Sequence, residues 1–321
     1  MSSSRSFASA AFALAVALCA PLASAQPWPT KPIRIVVPFA PGGSNDVIAR
    51  NLAQRLTESL GQSVVVENRA GGGSTIGAQA VATSPPDGYT FMFVSGSLAT
   101  AAAVQKTPYD PVKAFEPVTL VASAPFVIIT REGFPAKDVK ELVAYAKANP
   151  GKINYGSAGL GDSTQLATEL LSTIADIKMT AVGYKGIAPA QLDLVAGRLD
   201  LVITTMASTR GTASDKLPKI AFTSAKRDPE FPDVPTVRES GIDYVVDVWW
   251  GLFAPAGTPA PIIERMNKEV ATIVTDPKFG AFLKTNGAMP ATSTPRQLQE
   301  LVAKDVQRWT ETARRAGIQQ Q

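Results

Sequence analysis

Four short segments carry residue types that can hold an anion without a cationic side chain: 39–46, 95–97, 156–164 and 204–206. In Phe39-Ala40-Pro41-Gly42-Gly43-Ser44-Asn45-Asp46, two glycines let the backbone approach a guest, and Ser44 or Asn45 can cap a following helix. Exposed amides at such a helix start form a concavity for negative charge. An ordinary glycine turn closed by an Asx cap is the competing reading. Gly156-Ser157-Ala158-Gly159-Leu160-Gly161-Asp162-Ser163 has the order G-x-x-G-x-G, not the G-x-G-x-x-G of dinucleotide sites, and the chain has no Gly-Lys-Ser/Thr phosphate loop. Two amide-lined loops facing across a cleft would hold a dicarboxylate end to end through main-chain nitrogens and hydroxyls.

That arrangement gives the expected ligand contacts. The first loop supplies Phe39, Gly42, Gly43, Ser44, Asn45 and Asp46, and the next segment Ser95. The second loop supplies Ser157, Ala158, Gly159, Gly161, Thr164 and Gln165, joined by Tyr184 and Thr204. One carboxylate falls to the amides of Gly43, Ser44 and Asn45. The second group meets Ser157, Ala158, Gly159 and Thr164, with Phe39 and Tyr184 shaping the space between. Asp46 reads as a structural cap in preference to a general base. Tyr184-Lys185-Gly186 fits an exposed turn as well as a cleft edge, and of Trp249 and Trp250 only one can face a given surface.

Composition narrows the chemistry. Among 321 residues there is no His and one Cys, Cys19, which excludes Ser-His-Asp triads, Cys-His pairs, imidazole bases and disulfide frameworks. No metal and no cofactor is expected. The formal charge of +4 is spread without a Lys/Arg cluster, which suits a small anion and not a nucleic acid. At the N-terminus, Arg5 precedes an apolar stretch from Phe7 to Leu22, and Ala23-Ser24-Ala25 is a small-x-small cleavage site. Residues 1–25 therefore read as a signal peptide, with a mature chain starting at Gln26 outside the cytoplasm.

The elements that must position these loops follow from hydrophobic spacing. Ile33-Arg34-Ile35-Val36-Val37 reads as a buried strand, and Ile48, Leu52, Leu56 and Leu60 mark one face of a helix stopped by Gly61. Further strands fall at 63–67 and 89–94, with a short helix capped by Ser74 or Thr75 between them. A second set follows from Phe126: strands at 127–130, 153–155, 179–182, 201–203 and 219–223, and helices opened by Asp138, carrying Leu166 and Leu170, and at 189–196. Helices from Thr258, Pro277 and Thr294 end the chain, the last aligning Leu298, Val302, Asp305 and Trp309. The strand–helix alternation predicts parallel sheets with crossover helices.

The same loops, taken in order, resemble a known family. Pro38-Phe39-Ala40-Pro41-Gly42-Gly43-Ser44-Asn45-Asp46, Val66-Glu67-Asn68-Arg69-Ala70-Gly71-Gly72-Gly73, Pro86-Asp87-Gly88-Tyr89-Thr90, Tyr155-Gly156-Ser157-Ala158-Gly159, Tyr184-Lys185-Gly186 and Ala254-Pro255-Ala256-Gly257-Thr258-Pro259 are similar to the Bug-type periplasmic solute receptors of tripartite tricarboxylate transporters. The resemblance implies a type II periplasmic-binding-protein-like α/β Venus flytrap, its two lobes joined by two crossing strands. Its expected divisions are lobe one at 26–125 and 223–321, and lobe two at 126–222. It also implies a small carboxylate of di- or tricarboxylate type in the cleft, delivery to the transporter's membrane permease subunits, and a monomer. One departure stands out. Asp162 and Gln165 replace the family's usual Ser and His, and an acidic group there would repel the ligand or turn outward. An aromatic-carboxylate receptor, a sensor feeding a membrane signalling partner, or a hydrolase or isomerase using Asp46 or Asp162 with Lys185 are the other readings.

Overall fold

Strand β1 (Ile33–Val37) is β-branched and apolar because it lies mid-sheet, flanked in parallel by β2 (Val64–Asn68) and β3 (Thr90–Ser95). The computed structural model describes residues 28–210, 212–315, 317, 318 and 320, so the expected leader at 1–25 lies outside the described residues. Lys31–Gln321 form one compact unit. Beyond β3 the first sheet turns antiparallel: β10 (Asp247–Pro255) pairs with β3 and with β4 (Phe115–Pro125), and β11 (Met289–Pro290) closes the edge. The order among the described residues is β11-β4-β10-β3-β1-β2.

The second sheet runs β7 (Thr180–Gly183), β6 (Asn154–Ser157), β8 (Leu201–Thr204), β5 (Val127–Thr130), β9 (Lys219–Phe222). Only β7, β6 and β8 are parallel; β5 is antiparallel to both neighbours. Both sheets are therefore mixed, not parallel as the alternation predicted. The cause is the crossing itself. Strand β4 passes through Phe126 directly into β5, with no helix to reverse the chain, as a parallel crossover requires.

Helix α1 (Ser44–Leu60) buries Ile48, Leu52 and Leu56, as its spacing predicts, and ends where Gly61 takes a left-handed φ of 65°. Its N-cap is Gly43, without a side-chain cap, so neither Ser44 nor Asn45 caps it. Short α2 (Thr75–Ala82) follows a 3-10 turn and likewise lacks a side-chain cap. Helix α3 (Ser97–Val104), which sequence reasoning missed, starts two residues after β3 and is buried nearly all round. In the second lobe, α4 (Val139–Ala148) is capped by Asp138, whose carboxylate accepts from Glu141 N at 2.8 Å. Helices α5 (Ser163–Ala175), α6 (Ile187–Val195) and the single turn α7 (Met206–Thr209) complete it.

The C-terminal helices α8 (Ala260–Thr275), α9 (Pro277–Thr285) and α10 (Pro295–Arg315) belong to the first lobe. The one polar residue on the buried face of α10 has a purpose. Asp305 accepts from Trp249 Nε1 at 2.7 Å, so burial of both groups is compensated.

Thr223, fully buried, joins the crossings between the lobes. Its N–H donates to Phe126 O at 2.9 Å and its hydroxyl accepts from Phe126 N at 2.8 Å. The same hydroxyl donates to Val246 O, and Val246 N donates to Thr223 O at 3.1 Å. Between Thr223 and Val246 the chain stays bonded to the second lobe, through Phe222 N to Pro235 O at 2.8 Å and Tyr244 OH to Ala167 O at 2.8 Å.

Candidate functional site

The loop after β1 is held rigid from behind by a buried carboxylate. Asp46 Oδ2 accepts from Gly42 N at 3.0 Å, while Oδ1 accepts from Arg50 Nε and Asn68 Nδ2, each at 2.9 Å. Asn68 Nδ2 also donates to Phe39 O at 3.1 Å, which fixes the start of the loop. Burial pushes the Asp46 pKa up, but the hydrogen bonds from Arg50, Gly42 and Asn68, with the Arg50 charge, outweigh it and hold the group below the ordinary carboxylate range. Asp46 is thus a brace for the loop. The amides of Asp46 and Val47 bond to Gly43 O, whereas those of Ser44 and Asn45 have no acceptor within the helix and lie at the cleft.

Across the cleft, α5 starts differently. Asp162 occupies its N-cap, and Oδ1 accepts from Thr164 N at 2.8 Å and from the Thr164 hydroxyl. Oδ2 accepts from Ser97 Oγ, at the start of α3 in the other lobe, at 2.6 Å. Ser163 N donates to Ser97 Oγ at 3.3 Å, and Ala158 N to Thr164 Oγ1 at 3.1 Å. The lobes also meet where Ala40 N donates to Lys185 O at 2.9 Å. Gly73 and Gly159, both at positive φ, touch backbone to backbone there; a Cβ on Gly159 would sit 3.0 Å from Gly73 N.

Between these loops lies a cavity of about 30 Å³, room for roughly one or two waters. Eight of the residues expected from sequence line it together: Phe39, Gly43, Ser44, Asn45, Ser95, Ala158, Thr164 and Thr204. The others lie elsewhere. Gly42 faces a neighbouring groove with Ala188 and Leu192, and Asp46 sits behind the loop. Gly161 N donates to Gln165 Oε1 at 2.7 Å, Ser157 Oγ is buried without a partner, and Gly159 packs on Gly73. Tyr184 donates to Asp193 at 2.6 Å; burial and that carboxylate push its phenol up to about 12.

Phe126, Ile187 and Val248 line the wall from outside the segments that the sequence pointed to. Asp162, Ser163 and Thr205 lie within those segments but are not among the expected contacts. Asp162 and Ser163 follow directly on the glycine loop at a helix start, a cap signal that was legible; Phe126 and Val248 arrive by the crossings, which leave no local mark. Asp162 does not turn outward. It is 2% exposed and faces the cavity. Neither Asp46 nor Asp162 pairs with Lys185: the first is engaged by Arg50, the second by hydroxyls and an amide.

Two α/β lobes meeting at a cleft lined by helix starts define the two-lobed periplasmic solute receptors. The chain belongs to the tripartite tricarboxylate transporter receptor family, whose description matches residues 48–318. It is 36% identical to protein BugT of Bordetella pertussis over 311 residues, covering 95% of each chain. The structure of periplasmic binding protein BugD superposes with a TM-score of 0.88 at 38% identity, covering 92% of this chain and 100% of that one. R. palustris Rpa4515 with adipate superposes at 0.87 and 36% identity, covering 90% and 98%. The protein is accordingly a solute-binding protein and not an enzyme.

Proposed function

We propose that this receptor captures a small organic carboxylate in the periplasm and hands it to the membrane permease subunits of a tripartite tricarboxylate transporter. The observation that carries the reading is the open start of α1: the Gly43–Asn45 backbone, uncapped by any side chain, walls a cavity shared by both lobes. One carboxylate sits against those amides, with Ser44, Ser95 and Thr204 hydroxyls in reach and Phe39 and Ile187 excluding water. The adipate in Rpa4515 supports the ligand class. Residues 1–25 act as a cleaved leader, and among the described residues no helix is long and apolar enough to cross a membrane. Lobe one comprises 26–125 and the C-terminal part of 223–321; lobe two comprises 126–222 with the segment up to Val246 bonded to it. The receptor works as a monomer, the lobes closing about the crossings as the solute arrives.

Gly43→Val tests the site. The Gly43 φ of −82° suits any residue, but a Cβ there would lie 3.3 Å from Ile187 Cγ2 across the cleft, and the rest of the valine would hold the lobes apart. A screen of organic acids by thermal shift should stabilise the wild type and leave the variant unmoved. Equal stabilisation of both would overturn the assignment.

A further inference from the structure

We infer that Asp162 sets the specificity of the cleft, admitting a carboxylate whose other end donates hydrogen bonds, as a hydroxyl or ammonium does, and rejecting a second carboxylate at that end. The inference rests on the carboxylate reading above and narrows it.

Asp162 is the only ionisable side chain among the described cavity-lining residues, and no cation lines the wall to offset it. Its oxygens face donors from both lobes, Ser97, Ser163 and Thr164, so the carboxylate is locked in place inside the closed cleft. A helix N-terminus carries roughly half a positive charge, and a capping carboxylate reverses the sign of that end. The amides that could have met an anion there are already engaged: Thr164 N by Asp162, Ser163 N by Ser97, Ala158 N by Thr164. Asn45 Oδ1, on the α1 side of the cavity, is buried and without a partner, a further acceptor for a donor on the solute. Asp162 is 2% exposed and bonded across the lobes, so a like charge brought against it would be little screened by solvent. One wall therefore receives a carboxylate, and the other repels a second one and favours a donor in its place.

The test is calorimetric titration of the full mature chain with succinate, glutarate and adipate, each against the ω-hydroxy and ω-amino acid of equal chain length. At one chain length or more, wild type should bind a donor-ended acid at least about tenfold more tightly than the matched diacid, a ratio in the range set by unpaired charge at a buried site. Asp162→Asn, which keeps shape and capping ability, should shrink that ratio to near unity by restoring diacid binding. Ser97→Ala keeps the charge but loses a bond between the lobes; it should weaken all ligands alike and leave the ratio unchanged. If wild type binds diacids as tightly as their donor-ended partners, or the ratio survives in Asp162→Asn, the inference falls while the carboxylate site stands. If no acid binds wild type, both fall. The wild-type ratio alone decides the matter should the Asn variant fail to fold.

Discussion

Helices α1 and α5 begin on opposite walls of one cavity, after glycine loops that look alike, yet they present opposite faces to a solute. At α1 the cap is Gly43, which offers no side chain, and the braced carboxylate of Asp46 stands behind the loop where it shapes the amides without covering them. At α5 the carboxylate of Asp162 stands in front, as the cap itself. Both helices place an aspartate in their first turn or at their cap, which stabilises either start. The position of that aspartate, behind or before the amides, decides whether the helix dipole is available to a guest. A loop pattern alone does not tell an anion site from its opposite.

The difference can be broken most strongly at Asp46. In Asp46→Ala, Gly42 N and Asn68 lose their acceptor, and stability should fall by about 2 kcal/mol in denaturant unfolding. Acid binding should drop at least roughly tenfold as the α1 amides lose their register. The pH dependence follows from the same group. Because the folded-state pKa of Asp46 lies below its ordinary value of 3.8, its contribution is present above that pH and is lost as pH falls through the lower folded value. Wild type should therefore lose more stability than Asp46→Ala between neutral pH and the acid limb of a pH-dependent melt. A smaller effect is expected at the opposite wall. Thr164→Val removes a donor to Asp162 and leaves Ala158 N without its acceptor, costing about 1 kcal/mol in the same unfolding measurement. The smallest concerns a residue outside both walls. Tyr184→Phe loses only the bond to Asp193, away from the cavity, and affinity by calorimetry should stay within roughly twofold of wild type.

The α1 wall was legible in sequence because its signals are local. A β-branched strand, a Pro/Gly loop and an i, i+4 apolar face follow each other without interruption, and the fold keeps that order. Helix α3 was not legible: Ser97-Leu98-Ala99-Thr100-Ala101-Ala102-Ala103-Val104 is small and apolar on every side, so it has no stripe for a period to reveal. Strand β4 hid for a related reason, since Pro117 and Pro125 interrupt it and both its faces are largely covered. Losing α3 also hid Ser97, and with it the bond that ties Asp162 to the opposite lobe. The site residues missing from the sequence reading, Phe126 and Val248 above all, come from the crossings, where contacts are made by segments more than a hundred residues apart.

Thr223 has a mechanical consequence. Since one threonine is bonded to both Phe126 and Val246, the connections between the halves cannot twist separately. Closure of the kind proposed would therefore turn both connections together about a single pivot, like a door on one pin.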